Sequence, residues 1–222
     1  MKVLLINGSP HEKGCTYTTL SLIAGELNAS GIETEILNVG TKPVGGCIGC
    51  GGCAAGKGCV FGGVVNEAIE KAKTADAFVF GTPVHYASAS GNMTSFMDRL
   101  AYAGGKYLAY KPAAICASAR RAGTTTTLDQ LVKYPEFFHM PLVSGSYWPM
   151  VHGSKPEQRI TPRIRENRAD HKVSSILTRN APSTSYWLKS SRNPLIRPPL
   201  LRPGWAGCSV RRACSWCPWC YR

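Results

Sequence analysis

Apolar positions along the first 150 residues switch between two periods. Lys2–Ile6, Ala77–Gly81 and Pro112–Cys116 are short aliphatic-rich runs in which neighbours are apolar, as in strands buried on both faces. Ile32–Asn38 alternates, with Ile32, Thr34, Ile36 and Asn38 against Glu33, Glu35 and Leu37, and reads as a further strand. His139–Val143 can supply a fifth. Between these runs the period lengthens. Thr18–Asn28 carries Leu20, Ile23, Ala24 and Leu27 at helical spacing, with Gly31 just past its end. Val64–Thr74, Asn92–Tyr102 and Thr124–Phe137 read as helices, the second presenting Met93, Phe96, Met97 and Leu100 on one face.

Strand and helix in regular alternation predict an α/β fold: a five-stranded parallel sheet with helices on both faces. Five strands suit the flavodoxin-like order, which places a ligand at the carboxyl ends of the strands near the switch point. The loops that follow the strands are therefore where chemistry is expected.

Composition divides the chain. Through Gln158 it carries 13 basic and 11 acidic residues; from Arg159 onward it carries 13 basic and 2 acidic ones. Lysine dominates the first part, 10 Lys to 3 Arg, and arginine the second, 11 Arg to 2 Lys. The overall net charge of +13 thus belongs to the tail. We read residues 1–157 as one flavodoxin-like domain and residues 158–222 as an irregular basic tail, disordered or aberrant, such as an out-of-frame terminus. Two other readings of the tail are a nucleic-acid-binding arm and a metal site at Cys208, Cys214, Cys217 and Cys220; nucleic acid is the less favoured partner. The first apolar run is too short for a signal peptide and no stretch suits a membrane span, which predicts a cytoplasmic protein without a membrane partner. In that setting the 10 cysteines read as reduced thiols or metal ligands rather than disulfides.

Gly8-Ser9-Pro10-His11-Glu12-Lys13-Gly14-Cys15-Thr16 lies between the first strand and the first helix. A helix N-terminus offers free N–H groups and partial positive charge to a phosphate, and Ser9, Thr16 and Thr18 add hydroxyls. A capped polar turn is the plainer alternative. The loop lacks both Gly-Lys-Ser/Thr and Gly-x-Gly-x-x-Gly, which argues against a Walker A loop and a dinucleotide fingerprint. It resembles the Gly-Ser-Pro-Arg-x-x-Gly-Asn-Thr loop of NADPH-dependent FMN reductases, with His11 in place of Arg and Cys15 in place of Asn. The resemblance implies that Ser9, His11, Cys15, Thr16 and Thr18 grip the FMN phosphate.

Two more segments carry the likeness. Thr82-Pro83-Val84-His85-Tyr86 resembles the family's Ser/Thr-Pro-Val-Tyr-Trp/Tyr segment, which implies that Pro83, Val84, His85 and Tyr86 line the flavin ring. Ser118-Ala119-Arg120-Arg121-Ala122-Gly123 matches the loop at the ring's pyrimidine edge, implying Ser118 and Gly123 as contacts. Arg120 and Arg121 can stabilise negative charge on the reduced ring or form a solvated turn. Ser90 to Arg99 resembles the family's helix ending in Asp-Arg, where Asp98 and Arg99 read as structural or subunit-contacting. No catalytic acid–base residue is assigned, because flavin chemistry asks the protein for position and electrostatics.

Cys47-x2-Cys50-x2-Cys53-x5-Cys59 places four thiols on a loop, residues 45–63, that holds nine glycines. Three cysteines at three-residue intervals suit a cubane as in bacterial ferredoxins. Redox-labile bare thiols and zinc are the other readings, zinc sites more often using two separated Cys-x2-Cys knuckles. The same compact spacing is similar to that of the iron–sulfur flavoproteins, which implies Cys47, Cys50, Cys53 and Cys59 as ligands of a [4Fe–4S] cluster beside FMN. Together these readings predict an FMN-dependent oxidoreductase passing electrons between NAD(P)H or a ferredoxin-like protein donor and an acceptor, as a dimer or tetramer. A non-enzymatic flavin electron carrier is the alternative.

Overall fold

The computed structural model describes residues 1–145 and 147–155. The tail readings at residues 158–222 lie outside the described residues, as does the boundary at 157. Strand and helix alternate: β1 (Lys2–Asn7), α1 (Cys15–Ala29), β2 (Glu33–Asn38), α2 (Val64–Thr74), β3 (Ala77–His85), β4 (Ser88–Ala89), α3 (Gly91–Leu108), β5 (Ala113–Ala119), α4 (Thr124–Phe137) and β6 (Met150–His152). The sheet order is β2-β1-β3-β5-β6, all parallel, with β4 folded back antiparallel on the end of β3. This is the expected flavodoxin-like sheet of five parallel strands, plus a two-residue sixth strand that the sequence pattern did not disclose.

Alternate residues of each central strand serve opposite cores. Val3 and Leu5 of β1 pack with Ala77 and Val79 of β3 against Leu20, Ala24 and Leu27 of α1. Leu4 and Ile6, with Phe78 and Phe80, face Val65, Ile69, Met93, Phe96, Leu100 and Leu131 of α2, α3 and α4. Burial on both faces explains why these strands read as continuous apolar runs. Each large side chain taken from water contributes roughly 1.5–3 kcal/mol, so Phe80 and its neighbours fix the register.

The edge strand departs from expectation. Leu142 forms a lone parallel bridge with Ala113, and pairing with β5 resumes only at Met150. The carbonyl of Pro141 accepts from Ala113 N at 3.0 Å, and Val143 N donates back to Ala113 O at 2.8 Å. Pro141 has no N–H to carry a ladder further. The chain leaves the sheet after Val143 and returns at Pro149, whose carbonyl accepts from Ala117 N at 3.0 Å. The fifth strand is thus split, and its main part lies after the position the apolar pattern predicted.

No helix among the described residues is long and apolar enough to cross a membrane.

Candidate functional site

The register sets three strand ends level. Asn7 of β1 pairs with Gly81 of β3, and Gly81, Thr82 and Pro83 pair with Cys116, Ala117 and Ser118 of β5. The loops leaving these positions therefore emerge side by side at the carboxyl edge, where an open α/β sheet binds its ligand.

The first loop is held from several directions. Asn7 is fully buried; its side-chain N–H donates to Asn38 Oδ1 at 2.8 Å and to Glu12 O at 3.4 Å, while its Oδ1 accepts from Ser9 N at 3.2 Å. Gly8 N donates to Gly81 O at 2.8 Å, and Ser90 Oγ donates to Gly8 O at 2.7 Å. A Cβ on Gly8 would lie 2.7 Å from Met93 Sδ, and one on Gly40 would strike the backbone of Gly8 and Ser9. Only glycine admits this close approach.

Gly14 begins α1, and no side chain caps the helix. The opening turn of a helix presents N–H groups with no intrahelical acceptor. Ser9 is buried and its Oγ accepts from His11 N at 3.1 Å. Thr16 is buried and shares a 2.7 Å hydrogen bond with Ser118 Oγ, joining the start of α1 to the end of β5. Thr18 is half-buried and donates to Gly14 O at 3.2 Å. Cys15 is half-buried, with Sγ 3.7 Å from Gly153 O. His11 is exposed. The structure thus brings Thr16 and Ser118 together, holds Ser9 against the backbone of His11, and leaves the His11 side chain exposed.

The second loop is a hairpin. Val84 pairs with Ala89 and His85 with Ser88, leaving Tyr86 and Ala87 as the turn, at φ +50° and +60°. Non-glycine residues with positive φ at both central positions match a primed hairpin turn and carry strain. Pro83 and Val84 are half-buried, whereas His85 and Tyr86 are exposed. Gln130 of α4 pins the hairpin, its Oε1 accepting from Ser88 Oγ at 2.8 Å and Ala89 N at 2.9 Å. Thr126 adds a bond to Ala87 O at 2.9 Å. Gly123, at φ +89°, opens α4 against this turn, and a Cβ there would lie 2.7 Å from Ala87 Cα. Arg120 and Arg121 are exposed.

A cavity of about 500 Å3 lies elsewhere, between α4 and the 142–149 segment, lined by Ile115, Leu128, Val132, Leu142 and Trp148 among others. None of the sequence-predicted cofactor residues lines it. Its lining is mostly apolar, and its one charged side chain is the carboxylate of Asp129, which does not suit a phosphate. The strand-end loops remain the candidate site.

The cysteine loop is different in kind. Cys47 and Cys50 are exposed, Cys53 and Cys59 half-buried, and all four are free thiols. Among the described residues no three metal-binding side chains are gathered closely enough to hold an ion. Cys59 alone is well anchored. Its N–H donates to Asn66 Oδ1 at 2.8 Å, and its carbonyl accepts from Asn66 Nδ2 at 3.0 Å. Arg99 Nε donates to Cys59 Sγ at 3.2 Å, while its other nitrogens reach Gly45 O at 3.3 Å and Gly62 O at 3.0 Å. By donor chemistry four thiols fit an iron–sulfur cluster; Cys47, Cys50 and Cys53 must converge on Cys59 to hold one. Cys116, by contrast, is wholly buried, and burial pushes its thiol up to about 12, so it stays neutral.

Sequence reasoning missed Asn7, Ser90, Gln130 and the role of Arg99. Asn7 had a signal, a polar residue closing an apolar strand just before Gly-Ser-Pro. Gln130 had none, since its partner lies 42 residues away.

A family model described as NADPH-dependent FMN reductase matches residues 1–155. An iron–sulfur flavoprotein of Methanocaldococcus jannaschii is 33% identical over 155 residues, which is 68% of this chain and 80% of that protein. Among solved structures, the apo form of an NADH:FMN oxidoreductase superposes with a TM-score of 0.61 at 18% identity, covering 82% of this chain and 92% of that one. A flavodoxin from the domain Archaea gives 0.51 at 14% identity, covering 79% and 94%. At those identities the two structural likenesses speak to the fold.

Proposed function

The chain belongs to the NADPH-dependent FMN reductase family and is a flavin oxidoreductase of that kind, and from this premise we propose how its own residues carry the reaction. Ser9, Thr16 and Thr18, with the uncapped start of α1, hold the FMN phosphate; Cys15 and His11 flank it. Pro83, Val84, His85 and Tyr86 border the flavin ring, and Ser118 and Gly123 approach its far edge. FMN, when bound, accepts a hydride as an electron pair and can release electrons singly. The protein positions that ring and excludes water from one side.

The observation that carries the reading is the Thr16–Ser118 bond, which ties the α1 N-terminus to the β5 loop where a phosphate and a ring edge must be held together. Purified anaerobically, the protein should have a flavin spectrum that bleaches on addition of NAD(P)H. A colourless protein after reconstitution with FMN sinks the proposal.

Cys47, Cys50, Cys53 and Cys59 would hold a [4Fe–4S] cluster, which would supply one-electron exchange beside the flavin. Support comes from the donor set and from the relative's name as an iron–sulfur flavoprotein. Iron and acid-labile sulfide analysis of anaerobic protein decides it: about four of each per chain is expected, and their absence after reconstitution removes it. The proposal keeps the domain at residues 1–157, with a dimer or tetramer, a cytoplasmic location and NAD(P)H or a ferredoxin-like donor as the family resemblance implies.

A further inference from the structure

Arg99 sits in α3 at 6% exposure, among the most buried polar residues of the described chain. A guanidinium stays charged in any protein environment. A buried charge is costly unless an opposite charge or a full set of hydrogen bonds meets it. Its neighbour Asp98 does not meet it; Asp98 accepts from Tyr134 OH at 2.5 Å. Among the described residues no carboxylate lies within ion-pair distance of Arg99. Its hydrogen-bond partners are the carbonyls of Gly45 and Gly62 and the sulfur of Cys59, and it lies 5.4 Å from the centroid of the Phe61 ring. Two of these partners are the two ends of the cysteine loop, and the third is one of its thiols.

We propose that Arg99 is the positioning residue of the cysteine loop: it clamps both ends of the loop to the core and supplies the counter-charge and N–H donor for the anionic sulfur that Cys59 presents to an iron–sulfur cluster. This rests on the cluster reading above. The Gly45 and Gly62 contacts close the loop, so Cys47, Cys50 and Cys53 are tethered on a segment whose span is fixed. Asn66 holds the Cys59 backbone from the other side, which leaves the Cys59 sulfur as the fixed corner onto which the other three converge. A sulfur bound to iron is a thiolate, and the guanidinium lacks only an anion. Hydrogen bonds to cluster sulfurs stabilise the more negative, reduced state and raise its potential. Arg99 would therefore raise the potential at which a cluster held by Cys59 takes up one electron.

The test compares the full-length wild type with Arg99→Gln and Arg99→Lys, purified anaerobically with FMN. Flavin content and circular dichroism establish that each variant is folded. The midpoint potential is read by a redox titration followed by electron paramagnetic resonance. Arg99→Gln should lower it by ~59 mV for each tenfold loss in relative stabilisation of the reduced form, a one-electron couple. Arg99→Lys should fall between Gln and wild type, because it keeps the charge and loses the fork. If Gln cannot retain iron, a midpoint for Lys below wild type still supports the assignment. Independently, in protein stripped of iron, a lysine-specific protease should cut after the exposed Lys57 on the order of tenfold faster in Arg99→Gln. Wild-type midpoint and wild-type cleavage in the Gln variant overturn the inference, and so do equal midpoints for Gln and Lys. A wild type that takes up no iron removes the cluster reading and the counter-charge with it; the Lys57 cleavage rate then decides the clamp alone.

Discussion

The loop after β1 and the cysteine loop are both glycine-rich, yet they are built on different principles. Residues 7–18 are crossed by hydrogen bonds from β2, β3, β5 and Ser90 at the head of α3, and Asn7, Ser9 and Thr16 are buried. Residues 45–63 are exposed along most of their length and are held at Gly45, Cys59 and Gly62. Glycine serves close packing in the first loop and backbone freedom in the second, where Gly49, Gly51, Gly56 and Gly58 all have φ between +65° and +85°. The first loop is fixed by its own packing. The second, with its four thiols ungathered, would need the proposed cluster to draw them together.

A substitution that presses on the first loop and one within the second sharpen that contrast. Gly40→Ala drives a Cβ into the carbonyls of Gly8 and Ser9, backbone that cannot step aside. It should cost about 1–3 kcal/mol in urea unfolding and lose most bound FMN. Gly45→Ala, with nothing within 4 Å of the new Cβ, should stay within about 0.5 kcal/mol of wild type. Equal costs would break the comparison.

Next in size is the buried hydroxyl pair. Thr16→Val and Ser118→Ala each orphan a buried partner and should cost roughly 1–3 kcal/mol, while the double variant should cost less than the sum. Additive costs in a double-mutant cycle would deny the bond any energetic weight. Smaller still is the triple change Cys47→Ser, Cys50→Ser and Cys53→Ser. It should abolish iron uptake yet leave iron-free stability and FMN binding within about 0.5 kcal/mol. A large loss of stability would mean that the loop supports the core.

The smallest effect belongs to the far edge of the sheet. Lys71, then Lys2, hold the Glu35 carboxyl below its ordinary value. Its contribution to stability is present above the unfolded carboxyl's value, ~4.3, and is lost as pH falls through the lower folded value. Glu35→Gln should flatten the acid limb of a stability-against-pH curve slightly; an unchanged limb denies the network any role.

Local patterns were legible wherever one element decided its own structure. Val64–Thr74 and Thr124–Phe137 form the helices their spacing predicts. The three strand-end loops and the parallel sheet followed from apolar runs buried on both faces. Features set by distant partners were not legible. The split edge strand depends on where Ala113 and Ala117 find acceptors, and Pro141 sits within a short apolar run that otherwise reads as a strand. Gln130 and Arg99 act across 41 and 40 residues respectively. Arg99 reads in sequence as the last residue of a structural Asp-Arg pair, and only the fold turns it toward the cysteines.

The Tyr86-Ala87 turn has a consequence for engineering. Two residues with side chains occupy left-handed positions that Asn and Gly fill without penalty. A designer seeking heat resistance would exchange them first, and would thereby delete the fully exposed aromatic ring at the tip of the β3–β4 hairpin. At that one turn, thermostability and the side chain proposed to border the flavin pull in opposite directions.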